Sequence, residues 1–228
     1  MFCGYNSLII QGTLMTLALT LLSILCSTLI GIIGALCTTS EFRILRFFSV
    51  VYTTAIRSVP DLVLMLLTFY SVQILINWLF TLVGIGKVDI NAFGAGVITL
   101  SFIYGAYMAE TFRGAFESVP DGQLEAGKST GMSNWLVFRV IKLPQMIRFA
   151  LPGYTNNLLV LIKATALVSI MGLDDIISLT QQAGRATQHL LFFNLVAAAV
   201  YLSFTCIALL LLSQVRKRFN VGIKEALL

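Results

Sequence analysis

The chain has 228 residues, of which 58% are apolar and only 11% charged, with a mean hydropathy of +0.92. Soluble domains carry roughly 25% charged residues, so this composition excludes a water-facing globule and leaves little sequence for a separate soluble domain. The net charge of +5 would suggest nucleic acid in a soluble protein; in so apolar a chain, crowding of Lys and Arg into cytoplasmic loops explains it more simply.

Five apolar runs follow one another at 8–37, 50–80, 91–112, 149–171 and 190–212. Each can cross about 30 Å of hydrocarbon at 1.5 Å per residue. Lipid offers no partners to backbone amides, so each run is expected to be helical; the short alternating strands of a barrel are absent. The expected fold is therefore an all-α membrane protein, a single transmembrane domain over 1–228 with five transmembrane helices. The first run has no basic residue before it and is about twice as long as a signal-peptide core, so it reads as a retained span. The second is interrupted by Arg57, Pro60 and Asp61, with the two charges four residues apart around a helix-loosening proline. The third carries Tyr104, Tyr107, Glu110 and Arg113 at a spacing of three, a polar-aromatic stripe on one helix face.

A polar segment, 113–148, separates the third and fourth runs. Asp121 is expected to cap a short helix and Gly131 to stop it. The intervening "GQLEAGKST" supplies about two turns, too few to be stable alone in water, so this helix needs something to dock on. Ser133 can cap a second helix with Trp135, Phe138 and Ile141 on one face, and Leu143-Pro144 is expected to end it. The fourth run contains Asn156, Asn157 and Lys163, then Thr165 and Ser169.

Basic residues of the loops and tail fall on alternate sides: Arg43 and Arg46, then Lys128, Arg139, Lys142 and Arg148, then Arg216, Lys217, Arg218 and Lys224, against only Lys87 and Arg185 in the two remaining loops. With five spans this predicts an N-terminus outside and a C-terminus in the cytoplasm. A charge at the bilayer centre costs on the order of 2.5–3.5 kcal/mol on insertion scales, so charges within spans face the bundle or a cavity. Candidate pathway residues are thus Glu110 first, with Asp61, Tyr104, Tyr107, Arg113 and Asn157. The alternatives are an interfacial ion pair for Glu110 and Arg113, a pinned kink for Arg57 and Asp61, and a snorkelling or carbonyl-bound Lys163.

Enzymatic motifs are missing. No Gly-x-Ser-x-Gly elbow occurs, and His189 is a lone histidine. Cys3, Cys26, Cys37 and Cys206 have no metal-ligand spacing and read as small apolar residues. No catalytic residue, metal or cofactor is expected on this chain.

Glu125-Ala126-Gly127, three residues, Gly131, nine residues, Ile141-x-Leu143-Pro144 resembles the EAA signature of ABC importer permeases, with Gly127 where the second Ala usually stands. The resemblance implies a type I importer fold. It implies that 125–131 is a cytoplasmic coupling helix, so that Glu125, Ala126, Gly127, Gly131, Leu143 and Pro144 serve coupling to an ATPase. "AIRSVPDLVLMLLTFY", "GAYMAETFRGAFESVPDGQLEAG" and "LIKATALVSIMGLDDI" resemble the polar amino-acid subfamily. Within it, "RSVPDL", "KATAL" and "RKRFNVGIKEALL" are most similar to Q-type permeases of histidine/lysine/arginine/ornithine importers. The resemblance therefore implies a non-catalytic subunit of the bacterial inner membrane. Its implied partners are a second, M-type permease in a heterodimer, two copies of an ABC ATP-binding protein and a periplasmic amino-acid-binding protein. ATP and Mg2+ would then sit on the ATPase subunits. Other readings are transport of polar amino acids such as glutamine, a part of a secondary transporter, for which the expected inverted repeats are missing, and a membrane scaffold, which leaves the intramembrane charges unexplained.

Overall fold

A computed structural model describes residues 4–82, 84 and 91–219; Cys3, Lys87, Lys224 and the ending 220–228 lie outside the described residues. The elements are α1 (Asn6–Thr38), α2 (Arg43–Arg57), α3 (Asp61–Leu82), α4 (Ala92–Glu117), α5 (Asp121–Ser129) and α6 (Asn134–Val137). A π-turn (Phe138–Lys142) leads into α7 (Leu143–Ala164), a 3-10 segment (Thr165–Met171) follows, and α8 (Ile176–Thr187) and α9 (Leu190–Phe219) complete the chain. No strand occurs among the described residues. Five helical stretches are long and apolar enough to cross a membrane: α1, α3, α4, the continuous stretch Asn134–Met171, and α9.

α4 is the hub. Of its most apolar window 61% is buried, against 11% for α3 and 6% for α9, so α3 and α9 form the periphery while α1, α2, α3 and α7 pack on α4. The α1–α4 contact is close because α1 carries a stripe of small residues at spacings of three and four: Gly12, Thr16, Thr20, Ser23, Ser27, Gly31 and Ala35, all buried. Between apolar helices in lipid, packing of this kind is the main driving force. A side chain at Gly31 would collide with Cβ of Met108, and a Cβ at Gly34 would lie 2.8 Å from that of Ala109. Three of the buried hydroxyls are satisfied within the helix: Thr16 donates to the Gly12 carbonyl at 2.9 Å, Thr20 to the Thr16 carbonyl at 2.7 Å and Ser27 to the Ile24 carbonyl at 3.0 Å, whereas Ser23 Oγ has no partner among the described residues.

Four expectations change. The run 50–80 is two helices, because Pro60 cannot donate to a carbonyl one turn back and the chain turns at Ser58–Pro60. Asp121 is the first helical residue of α5 rather than its cap; extended Pro120 (φ −63°, ψ 130°) occupies the cap position. Leu143-Pro144 does not end a helix. The widened π-turn just before it accommodates the proline, and helix continues to Ala164. The fourth membrane stretch accordingly starts at Asn134, well before 149.

The connection after the 3-10 segment was not anticipated as structure. Gly172 (φ +87°) turns the chain, and Asp175 caps α8 by accepting from the Ser178 amide at 2.8 Å. The Ile176 amide donates to Thr16 Oγ1 at 3.1 Å, which pins α8 to α1.

Candidate functional site

Three groups of polar residues surround α4. At the α2–α3 break, Asp61 begins α3, where a carboxylate complements the helix dipole. Its Oδ2 accepts from the Tyr104 hydroxyl at 2.9 Å and its Oδ1 from the Tyr107 hydroxyl at 3.1 Å. The two rings stack at 5.7 Å between centroids, and Tyr104 is fully buried. Tyr104 lies near the midpoint of α4, so the break sets Asp61 level with the middle of the bundle's central helix.

The second group lines a cavity of about 630 Å³ between the end of α1, α2 and the last turns of α4. Arg46, Arg57 and Arg113 face Glu110 and Glu117 there, with threonines of α1 and α2 completing the wall. Arg113 donates from Nε to both Glu110 oxygens at 3.1 Å and from Nη1 to Glu117 at 2.6 Å; its Nη2 also bonds Glu110. Arg57 Nη1 lies 3.8 Å from Glu110 Oε2. Glu110 is thus held by two guanidinium groups. Arg57, expected beside Asp61, turns to α4 instead, because the break cancels the one-turn register between positions 57 and 61.

Asn157 belongs to the third group. From α7 it donates to Thr111 Oγ1 at 2.9 Å and faces Met108 Sδ, and it lines neither the cavity nor the Asp61 network. Lys163 and Asn156 are exposed on α7. Sequence reasoning missed Arg46, Thr53, Thr54 and Glu117. The first three lie with Ser49 and Arg57 at helical spacing within 43–57, a polar stripe that a span starting at residue 50 conceals.

The polar segment after α4 also has defined geometry. α5 ends in a two-bond C-terminal motif: the Gly131 amide (φ +85°) donates to Lys128 O at 3.0 Å and the Met132 amide to Gly127 O at 3.2 Å. Glu125 and Ala126 are exposed, while Gly127 is buried against Val137 and Ile141. Gln145 Nε2 donates to Gln123 Oε1 at 2.6 Å and to Ile141 O at 3.1 Å, tying α5 to α7. Ser133 caps α6 by accepting from the Leu136 amide at 3.3 Å. Leu143 and Pro144 are half-buried at the start of α7.

Residues 27–221 match the family described as binding-protein-dependent transport system inner membrane component. The chain belongs to this family. It is 46% identical over 226 residues to the histidine/lysine/arginine/ornithine transport system permease protein HisQ of Escherichia coli (strain K12), covering 99% of both chains. It is 33% identical to the arginine ABC transporter permease protein ArtQ of Haemophilus influenzae, over 96% of this chain and 97% of that one. A crystal structure of an amino acid ABC transporter with histidines superposes with a TM-score of 0.78 at 31% identity, over 94% of this chain and 95% of its own. The molecule is therefore an integral membrane permease of an ABC importer, with the type I importer fold. A permease of this kind works with another permease subunit, an ATPase and a binding protein.

Proposed function

We propose that this permease imports basic amino acids across the bacterial inner membrane, as the Q-type half of an unlike permease pair served by two ATP-binding subunits and a periplasmic binding protein. One observation supports the substrate class above others: the 46% identity that runs without interruption of coverage along 99% of both chains to a permease named for histidine, lysine, arginine and ornithine.

In this reading α5 is the coupling helix. It offers Glu125 and Ala126 to the ATPase, and the turn at Gly131 fixes its end. Its motion passes to α7 through the Gln123–Gln145 bond and the contact of Gly127 with Ile141. Coupling requires that the ATP-bound partner bind one permease conformation better than the other. ATP and Mg2+ are held by the partner ATPase subunits, and this chain contributes no catalytic group.

The pathway runs beside α4. Glu110 and Arg113 line its cytoplasmic vestibule with Arg57, while Tyr104, Tyr107 and Asp61 form the polar belt above it, and Asn157 braces α7 on α4. Of the two acids, Asp61 has no basic group within 4.0 Å among the described residues, whereas Glu110 has two. Attraction of a cationic side chain accordingly falls first to Asp61. Uptake by the four-component complex in proteoliposomes tests the reading. Labelled lysine should be displaced by arginine, ornithine and histidine and not by glutamine or glutamate. Displacement by glutamine at equal concentration would move the substrate class, and uptake without ATP would overturn the importer reading.

A further inference from the structure

At the opposite end of α7 from α5 lies a second polar pocket of about 270 Å³, between the 3-10 segment and α8. It is lined by Ser169, Ile170, Ser178, Gln181, Gln182 and Arg185 and shares no residue with the α1–α2–α4 cavity. Its volume is just below the roughly 300–1,000 Å³ of common small-ligand pockets, which suits one small molecule. The α8 residues stand three and four apart, so they share one helix face. The opposite face, with Leu179, Thr180, Ala183 and Gly184, is buried.

The groups in this pocket are uncommitted. Every ion pair among the described residues involves Glu110 or Arg113, so the Arg185 guanidinium has no carboxylate within 4.0 Å. The side chains of Ser178, Gln181 and Gln182 make no intramolecular hydrogen bond among the described residues; the Ser178 contact to Asp175 uses its backbone amide. Ser169 donates to Ala166 O and keeps its acceptor capacity. No acidic residue lines the pocket. One forked cation surrounded by amide and hydroxyl donors, with no competing acid, recognises a carboxylate.

We propose that this pocket is an entry subsite that holds the α-carboxylate of an incoming amino acid before it reaches the Asp61 belt. The inference rests on the substrate class proposed above. It divides recognition between two places: Arg185 takes the end common to all amino acids, and Asp61 meets the variable cationic end.

The test uses the assembled permease–ATPase complex in nanodiscs, without binding protein, and two probes: labelled arginine, and agmatine, which is arginine without its carboxylate. Arg185→Gln should weaken arginine binding about tenfold, the loss of one charge-assisted contact, and leave agmatine affinity as in the wild type. Arg185→Lys should restore part of the arginine affinity, and Ser178→Ala should lower it by a smaller factor. Equal losses for arginine and agmatine, or no loss in Arg185→Gln, would overturn the subsite. So would unchanged arginine binding together with a fall in ATP turnover in Arg185→Gln when binding protein is added in a second measurement, since Arg185 would then meet an acidic side chain of the docking protein. A wild-type complex that neither binds nor transports any basic amino acid would defeat the substrate reading itself, a failure distinct from that of the variants.

Discussion

Asp61 and Glu110 are both carboxylates inside the bundle, yet different partners hold their charges. Asp61 takes two phenol hydrogen bonds and no cation, whereas Glu110 is clamped by Arg113 and approached by Arg57. Asp61→Asn should therefore depress lysine and arginine uptake by about tenfold, the scale of one charge-assisted interaction. Histidine uptake should fall less, because its side chain is largely neutral near pH 7. Glu110→Gln leaves two guanidinium groups underpaired and should lower the complex's melting temperature and all uptake together. A selective loss of lysine transport in Glu110→Gln with none in Asp61→Asn would reverse the roles. The spacing of Tyr104, Tyr107, Glu110 and Arg113 was legible in the sequence. Their partners were not, because Asp61 and Arg57 reach α4 from more than forty positions away. Asp175, outside the spans, makes a pH-dependent prediction. Burial pushes its carboxyl up to about 6 from an ordinary 3.8, against the helpful amide of Ser178. The folded state then holds its proton more tightly than the unfolded one, so stability declines as pH rises from about 4 to 6 and is flat above. Asp175→Asn keeps a cap acceptor without the charge. Its melting temperature should lose that decline, and at pH 7.5 it should equal or exceed the wild type's; an unaltered pH profile would show that Asp175 does not set it.

The elements around positions 57–61 and 138–144 show where pattern reading stops. Both prolines were visible, but their outcomes are opposite. Pro60 follows a helix whose polar face already turns to α4, and the chain breaks there. Pro144 follows a helix docked through Val137 and Ile141 on α5, and the chain stays helical through a π-turn. Tertiary packing decides between breaking and widening, and local sequence does not hold that information. The cap by Ser133 and the stop near Gly131 were legible because they depend on local hydrogen bonds alone. Gly127 replaces the Ala of the resembled signature, and here the reason is steric. A Cβ there would stand 2.6 Å from Ile141 Cδ1 and 3.2 Å from Val137 Cγ2. The Ile141 tip can rotate away, and Ala gains about 1 kcal/mol of helix propensity over Gly, so Gly127→Ala should change stability by less than about 1 kcal/mol while shifting α5 outward. Gly131→Val, at φ +85°, forces a branched side chain into the left-handed region at a cost on the order of 1–2 kcal/mol. It should reduce recovery of the ATPase in pull-downs, as should the exposed Glu125→Lys, with membrane insertion intact by protease mapping. Full ATPase recovery in both Gly131→Val and Glu125→Lys would remove α5 from the coupling interface.

The whole molecule is built on one close-packed pair, α1 and α4, with more loosely buried helices around it. The five-helix count followed from composition, because 20 or so apolar residues have few alternatives in lipid. The small-residue stripe of α1 was also present in the sequence, hidden by the uniform apolarity of the run around it. Charge is distributed over this bundle by end. Arg43 and Arg46 start α2, Lys128 lies in α5, Arg139 and Lys142 lie in the π-turn, and Arg216, Lys217 and Arg218 close α9. The Gln123–Gln145 bond holds α5 beside the start of α7, and the Ser49 bond to Gly34 O at 2.8 Å holds α2 on the last turns of α1. Arg185 lies at the other end, one turn from α9's beginning. The positive-inside rule predicts α5 on the cytoplasmic side, where the proposed coupling role needs it, and the Arg185 pocket on the outer side, where the proposed entry role needs it. A reporter active only in the cytoplasm should be active when fused after Leu228 and silent when fused to a chain cut after Gln188, which retains four of the five spans. Moving the positive charges tests the cause: Arg43→Gln with Arg46→Gln should raise the fraction of misoriented chains, because short-loop Lys and Arg set orientation while acids contribute little. The reverse reporter pattern would put α5 on the side without ATP, and both the coupling role of Glu125 and the entry role of Arg185 would fall with it.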